Sequence, residues 1–215
     1  MARFFINFRQ SKKLNKAITT LPAIAVRSVA TGLFMMAFFT GLWTGIAWGG
    51  LIGSAGQWVL GLFVLCVIFF VVQAIGFLKA AKSYPSIQTP EEVKQGKKMG
   101  MWFGIIFGAE GLFIVLAINL VNNMGHPDLI IPSIALVVGL HFYPMAWIFK
   151  RKIDYWLATW ATGIAICGII FTLHKSFLYT TILAFVGIGL AMATTGYGLY
   201  MVYYGRKMIR ENPIA

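Results

Sequence analysis

Six apolar tracts, each close to or above the roughly 20 residues a helix needs to cross a bilayer, alternate here with short connections that hold nearly every lysine and arginine. A chain written this way cannot cover a water-soluble surface. In hydrocarbon each backbone N–H and C=O must be satisfied within its own segment, so the tracts fold as helices and not as open strands. The expected fold is all-α, a polytopic membrane bundle with spans at about 27–51, 57–78, 99–122, 129–149, 155–173 and 177–204. Composition agrees: 11% of the 215 residues are charged and 59% hydrophobic, whereas soluble domains are about a quarter charged. The connections are too short to fold alone, so the chain reads as one integral membrane domain.

Charge placement predicts the orientation. Of the 18 Lys and Arg residues, all but Lys175 fall in the N-terminal segment, the second and fourth connections, or the C-terminal tail. The positive-inside rule then puts both termini of a multi-pass membrane protein in the cytoplasm. Residues 1–22 carry Arg3, Arg9, Lys12, Lys13 and Lys16 among Leu14, Ile18 and Leu21 at helical spacing, which predicts an interfacial amphipathic helix ended by Pro22. No cleavable leader is expected, since Ala23-Ile24-Ala25 precedes the first apolar run instead of following it. The net charge of +12 therefore points to anionic phospholipid headgroups as partner and not to nucleic acid.

Helix contacts leave a second pattern. Gly41, Gly45, Gly49 and Gly53 recur every four residues in the first span, and Gly100, Gly104 and Gly108 in the third. Such stripes let backbones approach closely in lipid, so they are expected to be packing faces, matched to each other, with a homo-oligomer as the further expected partner. The glycine pairs Gly187/Gly189 and Gly196/Gly198 are candidate helix breaks in the sixth span. Trp43, Trp48, Trp58, Tyr155, Trp156, Tyr203 and Tyr204 read as interfacial belts.

Few residues can carry chemistry. Five of the six acids lie in loops or at interfaces; Glu110 alone sits in the middle of a span, where an ionised acid costs on the order of 3 kcal/mol. A rise of 1.5 Å per residue places it roughly 16 Å from the cytoplasmic end of span three, and His141 roughly 12 Å from the same side of span four. An acid and an imidazole meeting at that depth would be poised to gain and lose a proton, or would form a hydrogen-bonded clip between helices. Secondary polar candidates are Gln73, Asn119, Asn122, Tyr143, Thr194, Thr195 and Tyr197. His126, Asp128 and His174 share the outer face as a weak zinc candidate without short ligand spacing. Pro144 removes a backbone hydrogen bond one turn from residue 140 and predicts a kink beside His141. No glycine-rich phosphate loop, Cys-x-x-Cys, His-Glu-x-x-His or Gly-x-Ser-x-Gly occurs, so no enzyme activity and no cofactor are expected.

From Glu110 through His126-Pro127 and Pro132 to Gly139-Leu140-His141-Phe142-Tyr143-Pro144-Met145-Ala146, Phe149 and Tyr155, the chain resembles a family of small, uncharacterised six-helix bacterial membrane proteins. That family has an acid in its third span and a Gly-Leu-His-Phe-x-Pro-x-Ala run in its fourth. The resemblance implies a bacterial inner membrane and directs attention to Glu110 and His141; it implies no activity. Three functional expectations follow. The first is a small proton-coupled transporter or permease for a small molecule or ion, its spans arranged as three-plus-three inverted repeats faintly echoed by Gly41-Leu42…Ala47-Trp48 and Gly139-Leu140…Ala146-Trp147. The second is a non-transporting scaffold, sensor or accessory subunit with a structural polar pair. The third is a haem-binding protein ligated by His141.

Overall fold

The computed structural model describes residues 21–86 and 90–213; the predicted interfacial helix over residues 1–22 lies almost wholly outside them. The described residues form six long helices and no strand. These are α1 (Ala23–Leu51), α2 (Leu60–Ala81), α3 (Pro90–Asn123), α4 (Ile130–Phe149), α5 (Lys152–Leu173) and α6 (Tyr179–Glu211), with 3-10 turns at Ala55–Val59 and Pro127–Leu129. Each is long and apolar enough to cross a membrane. Large apolar side chains also cover the outside: Trp147, Trp156 and Leu178 are each about three-quarters exposed. An outer surface of this kind is stable only against acyl chains, so the protein is a multi-pass membrane protein.

Two helices outrun the expected spans. α3 begins at Pro90, inside what reads as a polar connection, because Pro90 at the first helical position is followed by Glu91 and Glu92 in the first turn, where the helix dipole favours acids. α6 continues past residue 204 through Arg206, Lys207 and Arg210 to Glu211, a basic C-terminal turn that suits the opposite pole. Between α3 and α4, Gly125 takes φ +75°, and the bonds from His126 N–H to Val121 O and from Gly125 N–H to Asn122 O make a Schellman ending. α5 ends the same way with Lys175, not glycine, in the left-handed position at φ +51°.

At the basic end the Ala23 N–H donates to Pro85 O at 3.0 Å, and the Tyr84 hydroxyl donates to Asn212 O at 3.1 Å. These bonds tie the start of α1, the α2–α3 connection and the end of α6 together. α1 lies between α2 and α6; α4 lies between α5 and α3; α6 joins the two groups through α5. The substantial helix contact of α3 is with α4 alone.

Close approach is made by other glycines than the stripes. A Cβ on Gly50 would strike Thr180 O and the Ala184 backbone; one on Gly187 would lie 2.6 Å from Ala47 N and 2.8 Å from Trp43 O. These two contacts lock α1 to α6 at backbone distance. Gly139 does the same for α4, 2.6 Å from Thr162 N on α5. Among the described residues the expected stripe packing is not found: Gly45, Gly49, Gly100, Gly104 and Gly108 have nothing within 4 Å of a Cβ position, and Gly41 only Val67 at 4.0 Å. A four-residue period marks one helix face but does not say what that face meets. Nor does α6 break at its glycine pairs; Gly187, Gly189 and Gly198 serve as contact points with α1, Ile164 and Phe70. Trp43 is not in an interfacial belt either, being 1% exposed in the core.

Candidate functional site

Helical periodicity assembles the site. On α3, Phe103, Phe107 and Glu110 fall on one face; on α4, Val138, His141, Phe142, Met145 and Phe149 do the same. Where these faces meet, Glu110 Oε1 lies 3.3 Å from His141 Nδ1, with the two side chains only 7% and 8% exposed. The atoms face each other without hydrogen-bond alignment, and neither His141 ring nitrogen has a hydrogen-bond partner among the described residues. The Phe107 ring stands 5.6 Å from the imidazole and the Phe142 ring 4.1 Å, both on the cavity wall.

The pair is electrically neutral in two forms, as acid with neutral imidazole and as carboxylate with imidazolium. A low-dielectric surrounding tolerates either and opposes both the addition and the loss of one proton, since each leaves a single uncompensated charge. A group so placed changes its proton count only when another charge arrives with the proton.

Glu110 and His141 line a cavity of about 670 Å³ between α1, α3, α4 and α6. Its walls are mostly apolar, with Met36, Phe39, Phe103, Phe142, Met145 and Met201 prominent. The titratable groups on the wall are Arg27 from α1, Lys97 and Glu110 from α3, His141 from α4, Arg151 from the α4–α5 turn and Tyr197 from α6; α2 contributes none. Arg27, Lys97 and Arg151 stand at the basic end of the bundle. Lys97 is thirteen positions before Glu110 along α3, roughly 20 Å, so the cavity runs from the basic rim to the bundle interior.

A second buried acid escapes a sequence reading that takes Asp154 for an interfacial residue. Asp154 is fully buried and its Oδ2 accepts from Arg151 Nε at 2.8 Å. The guanidinium also lies over the Phe149 and Tyr197 rings, 5.2 and 5.6 Å from their centroids, and the Tyr197 phenol approaches the same carboxylate. The signal present in the sequence is Arg151-x-x-Asp154, a helical ion-pair spacing at the start of a span.

The other candidates disperse. Thr194 and Tyr197 reach the cavity wall, where Thr40 Oγ1 donates to Thr194 Oγ1 at 2.9 Å and holds α1 to α6. Gln73 is drawn out of the site, its Oε1 accepting from Arg206 Nη2 at 2.9 Å across α2 and α6. Asn119 donates to Val115 O on its own helix, and the Tyr143 hydroxyl lies 3.3 Å from Thr159 Oγ1 on α5. Thr195 is half-buried, its buried hydroxyl without a hydrogen-bond partner among the described residues. The zinc candidate is not assembled: His126 and Asp128 are 4.0 Å apart and half exposed, and among the described residues no three His, Cys, Asp or Glu side chains cluster. α4 runs unbroken through Pro144. Pro144 and Leu140, one turn apart, are both exposed, so the hydrogen bond that proline removes lies on the outer face of α4, away from the cavity.

No known family model matches the chain, and no curated protein or solved structure is similar to it.

Proposed function

We propose that this protein is a small proton-coupled carrier of the bacterial inner membrane, with both termini in the cytoplasm and Glu110 and His141 as its proton-handling pair. One observation carries the reading: a carboxyl and an imidazole 3.3 Å apart, both on the wall of a large cavity that continues to a charged rim. A carrier needs a site whose protonation changes with cargo, placed near mid-membrane and reachable from one side at a time. The basic rim supports a cytoplasmic opening, since lysine and arginine accumulate there by the positive-inside rule. The likeness to small bacterial membrane proteins with the same acid and His-Phe-x-Pro run supports the setting.

The test is proton movement in proteoliposomes containing a trapped pH dye, with candidate solutes added outside. Solute-dependent acidification or alkalinisation that Glu110→Gln abolishes is the expected result. Absence of proton movement across a broad solute panel, with correctly inserted protein, rejects the carrier.

A structural reading also has an observation behind it. α3 is held chiefly by α4, and the Glu110–His141 contact bridges those two helices. A pure clip makes Glu110→Gln lower the thermal stability and leave solute-dependent proton movement intact; a proton-handling pair gives the reverse.

A further inference from the structure

We infer that the cavity takes a small monocarboxylate with an apolar body, its carboxylate lodged at the inner end between Trp43 of α1 and His141 of α4. This names the cargo of the carrier proposed above and rests on that reading for transport, though not for binding.

Two buried groups at the inner end point to the ligand. Trp43 is 1% exposed, lines the cavity, and its Nε1–H has no acceptor among the described residues. An indole N–H can only donate. His141 lines the same cavity; its Nδ1 faces Glu110 at 3.3 Å, and its Nε2 has no hydrogen-bond partner among the described residues. The contacts set the two roughly 8 Å apart in depth on facing walls, with Cα–Cβ bonds that tilt toward each other because α1 and α4 run antiparallel. The Thr40–Thr194 bond at 2.9 Å fixes α1 against α6 one turn from Trp43. The Phe142–Tyr197 contact, 6.5 Å between rings, fixes α4 against α6 one turn from Thr194 and next to His141. A buried donor without a partner costs more than one that is satisfied, and a group that accepts from both satisfies both.

Charge decides between a neutral acceptor and an anion. Among the described residues Glu110 is the only acid on the wall; Arg151 is already paired with Asp154, which leaves Arg27 and Lys97, exposed at the rim, as the cations that meet an incoming anion. Arg27 and Lys97 draw an anion in at that rim. When the Glu110–His141 pair takes up a proton it carries one positive charge, which a carboxylate at the inner end offsets. Proton and anion therefore stabilise each other in the low-dielectric interior. Phe103, Phe107, Met36 and Met145 leave apolar wall for the rest of the molecule, and about 670 Å³ falls within the range of roughly 300–1,000 Å³ that one drug-sized ligand occupies.

The experiment is calorimetric titration of the full-length protein in mild detergent with hexanoate, 4-phenylbutyrate and decanoate, and with 4-phenylbutyramide and 4-phenylbutylamine as uncharged and cationic matches. Among the carboxylates that still fit, affinity should rise roughly fourfold per added methylene. The amide and amine should bind at least about tenfold more weakly than 4-phenylbutyrate. Trp43→Phe, which keeps an aromatic ring and deletes the donor, should weaken 4-phenylbutyrate about tenfold. Gly100→Leu adds bulk on the wall where nothing lies within 4 Å; it should cut carboxylate binding at unchanged thermal stability, and it decides the matter if Trp43→Phe fails to fold. Equal binding of amide and carboxylate, no binding by any carboxylate, or unchanged affinity in Gly100→Leu overturns the assignment. Carboxylate binding without proton movement upholds the assignment and removes the carrier. Proton movement driven by another solute, without carboxylate binding, removes the assignment alone.

Discussion

Replacing either member of the Arg151–Asp154 pair should destabilise the protein by unequal amounts, and replacing both should restore most of the loss. Asp154 is 0% exposed and Arg151 17% exposed, with 2.8 Å between Nε and Oδ2. Arg151→Met leaves a fully buried carboxylate with no cation, a change that costs about 3–5 kcal/mol. Asp154→Leu leaves the guanidinium over the Phe149 and Tyr197 rings, with a cavity edge toward the basic rim; the cost should be about 1–2 kcal/mol. The double variant replaces an ion pair with packed apolar groups and should lie within about 1 kcal/mol of the parent. At about 2–4 °C per kcal/mol for a chain of this size, Arg151→Met lowers the apparent Tm by roughly 6–20 °C and Asp154→Leu by roughly 2–8 °C. Thermal unfolding in mild detergent, followed by tryptophan fluorescence, measures all four proteins under one condition. Equal losses for the single variants, or a double variant whose loss is their sum, would refute the reasoning, because additivity means the groups do not interact.

Three further outcomes test the packing. Gly187→Leu and Gly50→Leu, whose Cβ atoms would strike the opposing backbone, should each cost at least about 2–3 kcal/mol, while Gly45→Leu and Gly104→Leu, facing open space, should stay within about 0.5 kcal/mol; the same melting assay ranks all four. Lys175→Gly relieves a side chain held at φ +51° and should raise stability by about 0.5–1 kcal/mol, visible as a small upward shift in Tm. Arg206→Met removes an exposed hydrogen bond to Gln73, and its cost should remain below about 1 kcal/mol.

The bundle itself was legible because the bilayer forces it: with no water for the backbone, an apolar tract of spanning length has one regular solution. The Glu110–His141 encounter was legible for a related reason. A fixed rise per residue converts sequence position into depth, and consecutive antiparallel spans are common neighbours. Direction around a helix axis is not encoded so plainly. The stripe at Gly100, Gly104 and Gly108 shares a face, yet that face meets nothing, whereas the tight contacts use single glycines, Gly50, Gly139 and Gly187, with no period to betray them. Asp154 was misplaced because its position near a span end suggests headgroups, and only the Arg151 side chain folded over it reveals its burial. Pro144 was read through the bond it deletes; which side of α4 that bond occupies depends on helix rotation, and Leu140 and Pro144 face outward.

The arrangement of partners suggests how a carrier built this way would change state. α1 pairs with α2 and α6, and α4 pairs with α5 and α3. Exchanging the first three helices for the last three carries one set of contacts into the other, as inverted repeats would. Three contacts break the exchange: α6 packs against α5, α2 and α4, while the counterparts, α3 against α2, α5 and α1, are missing among the substantial contacts. The cavity opens at the basic end between α3 and the α1 and α6 walls. If the halves trade conformations, the opposite-facing state has α3 closed toward α2 and α6 released from α5, with the Gly50 and Gly187 contacts kept as the fixed frame. Spin labels on native Cys66 of α2 with Ile105→Cys of α3, and on native Cys167 of α5 with Met192→Cys of α6, report both gaps by pulsed electron resonance. The first distance should shorten as the second lengthens when pH and cargo are changed together. Distances that both stay fixed, in protein shown to move protons, would mean that transport does not proceed by exchange between the halves.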